Sequence, residues 1–359
     1  MLGAHYYPWY RKPDYPILGG GDWGAGYTNH PVLGEYNSRD FSIISQHLAW
    51  VEKAGIDFLV FEWVGSEFWN DITLRDYYLS ILKDSKIKFC IHYDSSLSLN
   101  RYRSDPAKFS YDFNEKYSAD KTKGQKFLED FEYLADTYFN HPQYLKINGQ
   151  PVIIIYNTSM FRNISKYFER LKINMSKRNI SLFLIADIVS WAGIKLTRKN
   201  ISYLWEMSPK ELIKIFNRVI GRLSLKKYEN DIFLNKYFNA ITSYNMFSVN
   251  RTSNFLKNVD KVYQKFYNYG NSNNLCFVPT VIPGYDDKNL RGLNRPTLGR
   301  KEGKFYEDFW MIAKKYIDPS LKMVLITTFN EWHEGTQIEP SKEYGTKYLE
   351  LTKLLKDKD

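Results

Sequence analysis

Short apolar runs rich in β-branched and aromatic residues recur along this chain, separated by longer segments whose apolar residues repeat at helical spacing. The runs are Leu2–Tyr6, Asp57–Trp63, Ile87–Tyr93, Val152–Tyr156, Leu182–Asp187, Ala240–Tyr244, Cys276–Val281 and Met323–Thr328. Between them lie amphipathic stretches such as Phe41–Ala54, Gln125–Phe139, Ser159–Met175, Asn254–Tyr269 and Lys304–Tyr316. Strand and helix in alternation call for parallel strands joined by helical crossovers. Eight such strands predict an α/β fold of the (β/α)8 TIM barrel type, with residues 1–359 forming one catalytic domain. Two intervals exceed a simple connection. Residues 10–40, rich in Gly, Pro and aromatics, are expected to form a long loop over the barrel, and 191–238 a helical excursion after the fifth strand. The charged tail Lys353–Asp359 reads as a frayed helix end.

A barrel of this kind carries its chemistry at the C-terminal ends of the strands. The last run leads into TTFNEWHEGTQIEP, residues 327–340, where Glu331 and Glu334 stand three apart beside Asn330, Trp332 and His333. Two carboxyl groups at one strand end beside aromatic surface suit cleavage of a glycosidic bond. One is protonated to donate to the leaving oxygen, and the other is ionised as base or nucleophile. The other rim segments agree with that reading: Tyr7 and Trp9 follow the first strand, Trp63 the second, and Tyr93 and Asp94 the third. Tyr244 and Asn245 follow the sixth, and Pro283-Gly284-Tyr285-Asp286-Asp287 the seventh. Pro283–Asp287 reads equally as a tight turn capping the next helix. Glu62 reads as a buried barrel residue or a ligand group, and His5 and His92 at least as well as core histidines.

The rest of the composition narrows the partners. The formal net charge is +10, yet the lysines are spread along helix-like segments, and no phosphate-cradling glycine loop follows a strand. A solvated basic surface is the simpler account than nucleic-acid binding, and an acidic or phosphorylated glycan stays open. The two cysteines, Cys90 and Cys276, sit in apolar runs and read as small core residues. No metal-spaced Cys/His cluster and no dinucleotide fingerprint occur, so no metal or cofactor is expected. No apolar run is long enough to span a bilayer. The chain opens directly on its first strand, which suits a cytoplasmic protein or one whose leader has been removed.

These residues resemble glycoside hydrolase family 99, the endo-α-mannosidase and endo-α-mannanase family. The similar blocks are Tyr6-Tyr7-Pro8-Trp9-Tyr10, His30-Pro31-Val32-Leu33-Gly34-Glu35-Tyr36-Asn37-Ser38, Ala54-Gly55-Ile56-Asp57, Pro283–Asp287 and Phe329–Pro340, in family order. The resemblance implies an endo-acting, retaining enzyme without a covalent glycosyl-enzyme: a carboxylate takes the proton of the sugar's 2-hydroxyl, and O2 attacks C1 to form a 1,2-anhydro sugar. Carried over by motif, Glu331 is the base at O2 and Glu334 the general acid, with Glu334 protonated and Glu331 ionised. Tyr7, Trp9, Trp63, Tyr285 and His333 would line the subsites. Two places depart from the family: Glu62-Trp63-Val64-Gly65 stands where a Ser-Trp-Trp-Gly type segment is usual, and Tyr93-Asp94-Ser95-Ser96 where a glutamate is expected. Asp94 there stands in for a longer carboxylate at the minus-one subsite. A polysaccharide-biosynthesis barrel that trims or transfers sugars, and a non-catalytic glycan-binding protein, are the competing readings.

Overall fold

A computed structural model describes residues 1–11, 23–102, 109–188, 230–244, 246, 254–293 and 296–358. The expected excursion over 191–238 therefore lies outside the described residues apart from its last helix, Asn230–Tyr237. Asn245 lies outside them as well, as does the stretch 12–22 of the long loop.

The strands are β1 (Leu2–Tyr6), β2 (Phe58–Trp63), β3 (Lys88–Tyr93), β4 (Lys146–Ile147), β5 (Gln150–Ile155), β6 (Phe183–Asp187), β7 (Ala240–Thr242), β8 (Cys276–Val278), β9 (Thr280–Val281) and β10 (Val324–Ile326). All but β4 form one parallel ladder in the order β8-β7-β6-β5-β3-β2-β1-β10-β9. Its two ends are halves of one predicted strand, broken at Pro279. β8 pairs with β7 and β9 with β10, so eight staves close into the barrel. β4 was not foreseen. It turns back onto β5 through Asn148 and Gly149, both at positive φ (50° and 78°), the pair a tight two-residue hairpin requires.

The helices pack outside the ladder and bury one face each. Phe41–Lys53 turns Ile44, His47, Leu48 and Val51 inward, and Phe255–Ser272 buries Phe255, Val259, Tyr263 and Phe266. Lys123–Thr137 begins with a capping box in which Thr122 and Gln125 satisfy each other's backbone N–H groups. The frayed tail is corrected: Lys347–Asp357 is a docked helix burying Tyr348, Leu349, Thr352 and Leu355, and Lys356 Nζ reaches Gly55 O and Asp57 Oδ1 at 2.6 and 2.8 Å.

Register decides which strand residues face the lumen. Gly3 pairs with Phe58, whose ring fills the space a Cβ would occupy, 2.3 Å away. Glu62 pairs with His92, and both look into the barrel mouth. Their neighbours Trp63 and Tyr93 alternate outward into the helical layer. Trp63 donates Nε1–H to Asp71 (2.8 Å) and stacks near Tyr93 and Tyr133. Tyr93 donates to Asp130 (2.9 Å) and packs on Phe127 and Phe131.

Candidate active site

After β10 the chain leaves the ladder and folds back on itself. Thr328 N donates to Thr336 O, and Ile338 N to Thr328 O, at 3.0 and 3.1 Å. Thr328 Oγ1 receives the N–H of Glu331 at 2.7 Å. Glu331 is thereby aimed inward, and the backbone N–H of His333 holds its Oε1 at 3.0 Å. Gly335 closes the turn at φ +61°, where a Cβ would lie 3.1 Å from the backbone N and O of Asp286. The close approach lets Asp286 N donate to Glu334 O (2.8 Å), tying the motif to the segment after β9.

The third glutamate of the motif has a different task. Glu339 is buried and accepts from Tyr36 OH (2.8 Å) and Trp332 Nε1 (3.0 Å), with His47 Nε2 at 3.1 Å. Trp332 consequently packs among Tyr7, Tyr10, Trp23 and Tyr36, beneath the site. Asn330 grips the backbone of Tyr7 through both amide atoms, accepting from N at 2.7 Å and donating to O at 2.9 Å.

A cavity of about 260 Å³ opens at the C-terminal rim. It brings together Glu331, Glu334, His333, Tyr7, Trp9, Asp94 and Tyr244 from the residues expected at the site. Five expected residues lie elsewhere. Trp63 and Tyr93 face the helices by strand alternation, and Trp332 and Asn330 brace the rim from below. Tyr285 stands behind Arg291, bonded to Asp287 Oδ2 at 2.7 Å and to Arg291 Nη1 at 3.0 Å. Glu62 and His92, which the sequence leaves open between core and ligand roles, both line the cavity, as does Tyr156 at the end of β5; Arg291 is the residue sequence reasoning missed. Alternation counted back from Trp63 and Tyr93 could have decided the first two. Arg291, in a short helix Lys288–Arg291, carries no local signal.

The electrostatics differ from the expected pairing of charges. Burial, and then the charge of Glu334, push the Glu331 carboxyl well above the usual carboxylate range, partly offset by the His333 N–H and Arg291. Arg291 Nη1 meanwhile makes an ion pair with Glu334 Oε1 at 2.9 Å. Burial thus favours the protonated form of Glu331, the carboxyl expected to be ionised. Across the cavity, Glu62 Oε2 lies 2.5 Å from His92 Nδ1. Burial, then Asp94, push Glu62 well up, while burial holds the His92 imidazole below its usual value. Asp94 spends Oδ1 on capping the helix Ser95–Ser98, accepting from Ser96 N (2.7 Å) and Leu97 N (3.1 Å). Asp187 lies deeper, 4.0 Å from His92 Nε2, and receives the N–H of Tyr244 at 3.2 Å. Tyr7 OH donates to Tyr244 OH at 2.5 Å, and the rings of Tyr7 and Trp9 lie 4.3 Å apart.

Among the described residues no group of three or more His, Cys, Asp or Glu side chains could hold a metal ion. No described helix is long and apolar enough to cross a membrane. Cys90 is buried and Cys276 partly so, both free thiols.

Comparison with known proteins places this geometry in a family. The chain is 26% identical to the glycoprotein endo-alpha-1,2-mannosidase of Mus musculus, across 98% of this chain and 70% of that protein. It is also 26% identical to the endo-alpha-1,2-mannosidase-like protein of Homo sapiens, across 90% of this chain and 60% of that one. The fold superposes on the GH99 endo-alpha-mannosidase of Bacteroides thetaiotaomicron with a TM-score of 0.67 at 21% identity, covering 99% and 96% of the two chains. A glycoside hydrolase-like protein aligns with a TM-score of 0.71 at 22% identity, covering 99% and 93%. Residues 30–352 match the family described as Glycosyltransferase WbsX. The chain belongs to the WbsX family, a group of barrels like those of glycoside hydrolase family 99.

Proposed function

We propose that this protein is a retaining, endo-acting glycoside hydrolase that cleaves mannosidic linkages in a glycan through a 1,2-anhydro sugar. One observation carries the reading: Glu331 and Glu334 enter one aromatic-walled cavity from a single turn, opposite Glu62 and Asp94. In the first step Glu331 takes the proton of O2, and O2 forms a bond to C1 as the bond from C1 to the leaving oxygen breaks. Glu334 gives its proton to that oxygen. Water then opens the anhydro ring, returning a proton to O2 from Glu331 and losing one to Glu334.

The chemistry requires the proton to move from Glu331 to Glu334 when sugar binds. A 2-hydroxyl donating to Glu331 favours its carboxylate, and a leaving-group oxygen beside Glu334 competes with Arg291 for that side chain. Glu62 and Asp94 are suited to accept from sugar hydroxyls, and Tyr7, Trp9, Tyr244 and His333 to shape the ring pocket. The WbsX description favours a second reading, glycosyl transfer, in which an acceptor hydroxyl replaces water in the second step.

Digestion of α-mannans and bacterial surface polysaccharides, with products read by mass spectrometry, separates these readings. Wild type is expected to release oligosaccharides that Glu334→Gln does not. A 2-deoxy substrate that turned over normally would remove O2 from the mechanism. Extended products in the presence of an acceptor sugar would favour transfer, and binding without any product a lectin-like role.

A further inference from the structure

A second cleft, of about 880 Å³, lies beside the catalytic cavity between the segments that follow β2 and β3. The same stretch of chain serves both: Ser96 and Leu97 face the catalytic cavity, and a few residues past the end of their helix Arg101 and Tyr102 face the cleft. Four cations line it, Arg101, Lys116, Lys121 and Lys126, against two carboxylates, Asp120 and Glu129. Lys121 pairs with Glu129 at 2.8 Å, and Lys126 pairs with Asp130. Arg101 and Lys116 have no carboxylate partner among the described residues.

The Arg101 guanidinium carbon sits 4.2 Å from the centre of the Phe68 ring and 5.5 Å from that of Tyr102. Stacking uses the face of a guanidinium; Tyr117 OH takes part of the N–H edge, and the other N–H groups are left for a planar anion. Tyr102 is 62% exposed and meets Tyr117 edge-on at 5.2 Å. The wall is built rather than loose. Buried Lys123 ties Asn100 Oδ1 (3.0 Å), Ser110 O (2.9 Å) and Glu115 Oε2 (3.1 Å) to the start of the helix Lys123–Thr137. An exposed aromatic face beside two cations without a carboxylate partner among the described residues, on the rim that holds the catalytic carboxylates, suits a sugar ring bearing a negative charge.

We infer that this cleft is a remote subsite for an acidic sugar, carboxylated or phosphorylated, of the same glycan whose neutral linkage is cut between Glu331 and Glu334. The inference rests on the glycan reading above and adds the charge of the substrate. It also gives the net charge of +10 a local use.

The test uses Glu331→Gln protein, so that nothing is consumed, and three probes: a neutral α-manno-oligosaccharide, the same chain oxidised to carboxylates at C6, and the same chain phosphorylated at C6. Calorimetry at low salt should show an acidic chain binding about tenfold tighter than the neutral one. The gain should vanish at about 0.5 M NaCl, and also when Arg101→Ala and Lys116→Ala are combined. The carboxylated and phosphorylated arms identify the acidic group. Tyr102→Ala, at an exposed position, is a second variant and should weaken both acidic chains. Equal binding of all three probes overturns the subsite, as does a gain that survives every cleft substitution. If the neutral chain binds and the acid groups add nothing, the subsite falls and the mannosidic reading stands; if no chain binds, both fall.

Discussion

The two walls of the catalytic cavity carry their carboxylates on different kinds of backbone. On one wall Glu331 and Glu334 hang from an irregular turn, held by Thr328, the His333 N–H and the tight passage at Gly335. On the other, Glu62 stands on a regular strand beside its register partner His92, one side chain from each stave. A turn concentrates chemistry into consecutive residues and can set the angle of each. A ladder spreads chemistry over distant segments and offers only one direction, inward, at every second residue. The first wall is suited to proton transfer, which needs two groups in defined attitudes. The second is suited to gripping a sugar.

The largest difference between the walls should appear in catalysis. Glu331→Gln is expected to lower kcat/KM on a cleavable glycan by about 10³-fold, within the range for a missing general base. Glu62→Gln should cost roughly ten- to a hundredfold, the loss of a hydrogen bond to a charged or strongly polar group. Steady-state kinetics on one substrate would compare them, and equal losses would erase the division of labour.

The next effect is in stability, and it contrasts two tryptophans. Trp63→Ala should destabilise the fold by about 3–5 kcal/mol by leaving a cavity in the helical layer. Trp9→Ala should chiefly raise KM. Denaturant unfolding alongside kinetics checks both. If Trp63→Ala raised KM and left the unfolding midpoint in place, its outward assignment would be wrong.

The smallest effect is a pH dependence. Glu331 and Glu62 are both raised in the folded chain, by burial first. The stability they contribute is therefore complete below the ordinary carboxylate value of about 4. It is lost as pH rises through the raised folded values, because the folded state then binds more protons than the unfolded. Wild type should melt at a lower temperature at pH 8 than at pH 5, and the Gln variants should flatten that fall while gaining roughly 2 °C at pH 8. Unchanged slopes in both variants would show that neither carboxyl is held up by burial.

Much of this was legible beforehand, for identifiable reasons. Barrel strands are short, apolar and separated by amphipathic helices, so their order is written in local pattern; the seventh departs only where Pro279 splits it. The TTFNEWHEGTQIEP segment is legible because its chemistry is contiguous. Trp63 and Tyr93 were assigned to the site because aromatic residues at strand ends suit sugars. Residue type says nothing about which face a side chain takes. Arg291 was invisible because its partner Glu334 lies forty-three residues away in sequence.

The sequence by itself determined the barrel, the turn that bears the glutamate pair, and the absence of an obvious metal or cofactor motif, since each depends on residues close together in the chain. Only the tertiary structure decided that Glu62 and His92 face the cavity while Trp63 and Tyr93 do not, and that Glu339 holds up the rim. It also decided that Arg291 pairs with Glu334 and that burial raises the Glu331 carboxyl. Those outcomes depend on strand register and on contacts between distant segments, and burial sets the cost of charge only once such contacts have formed.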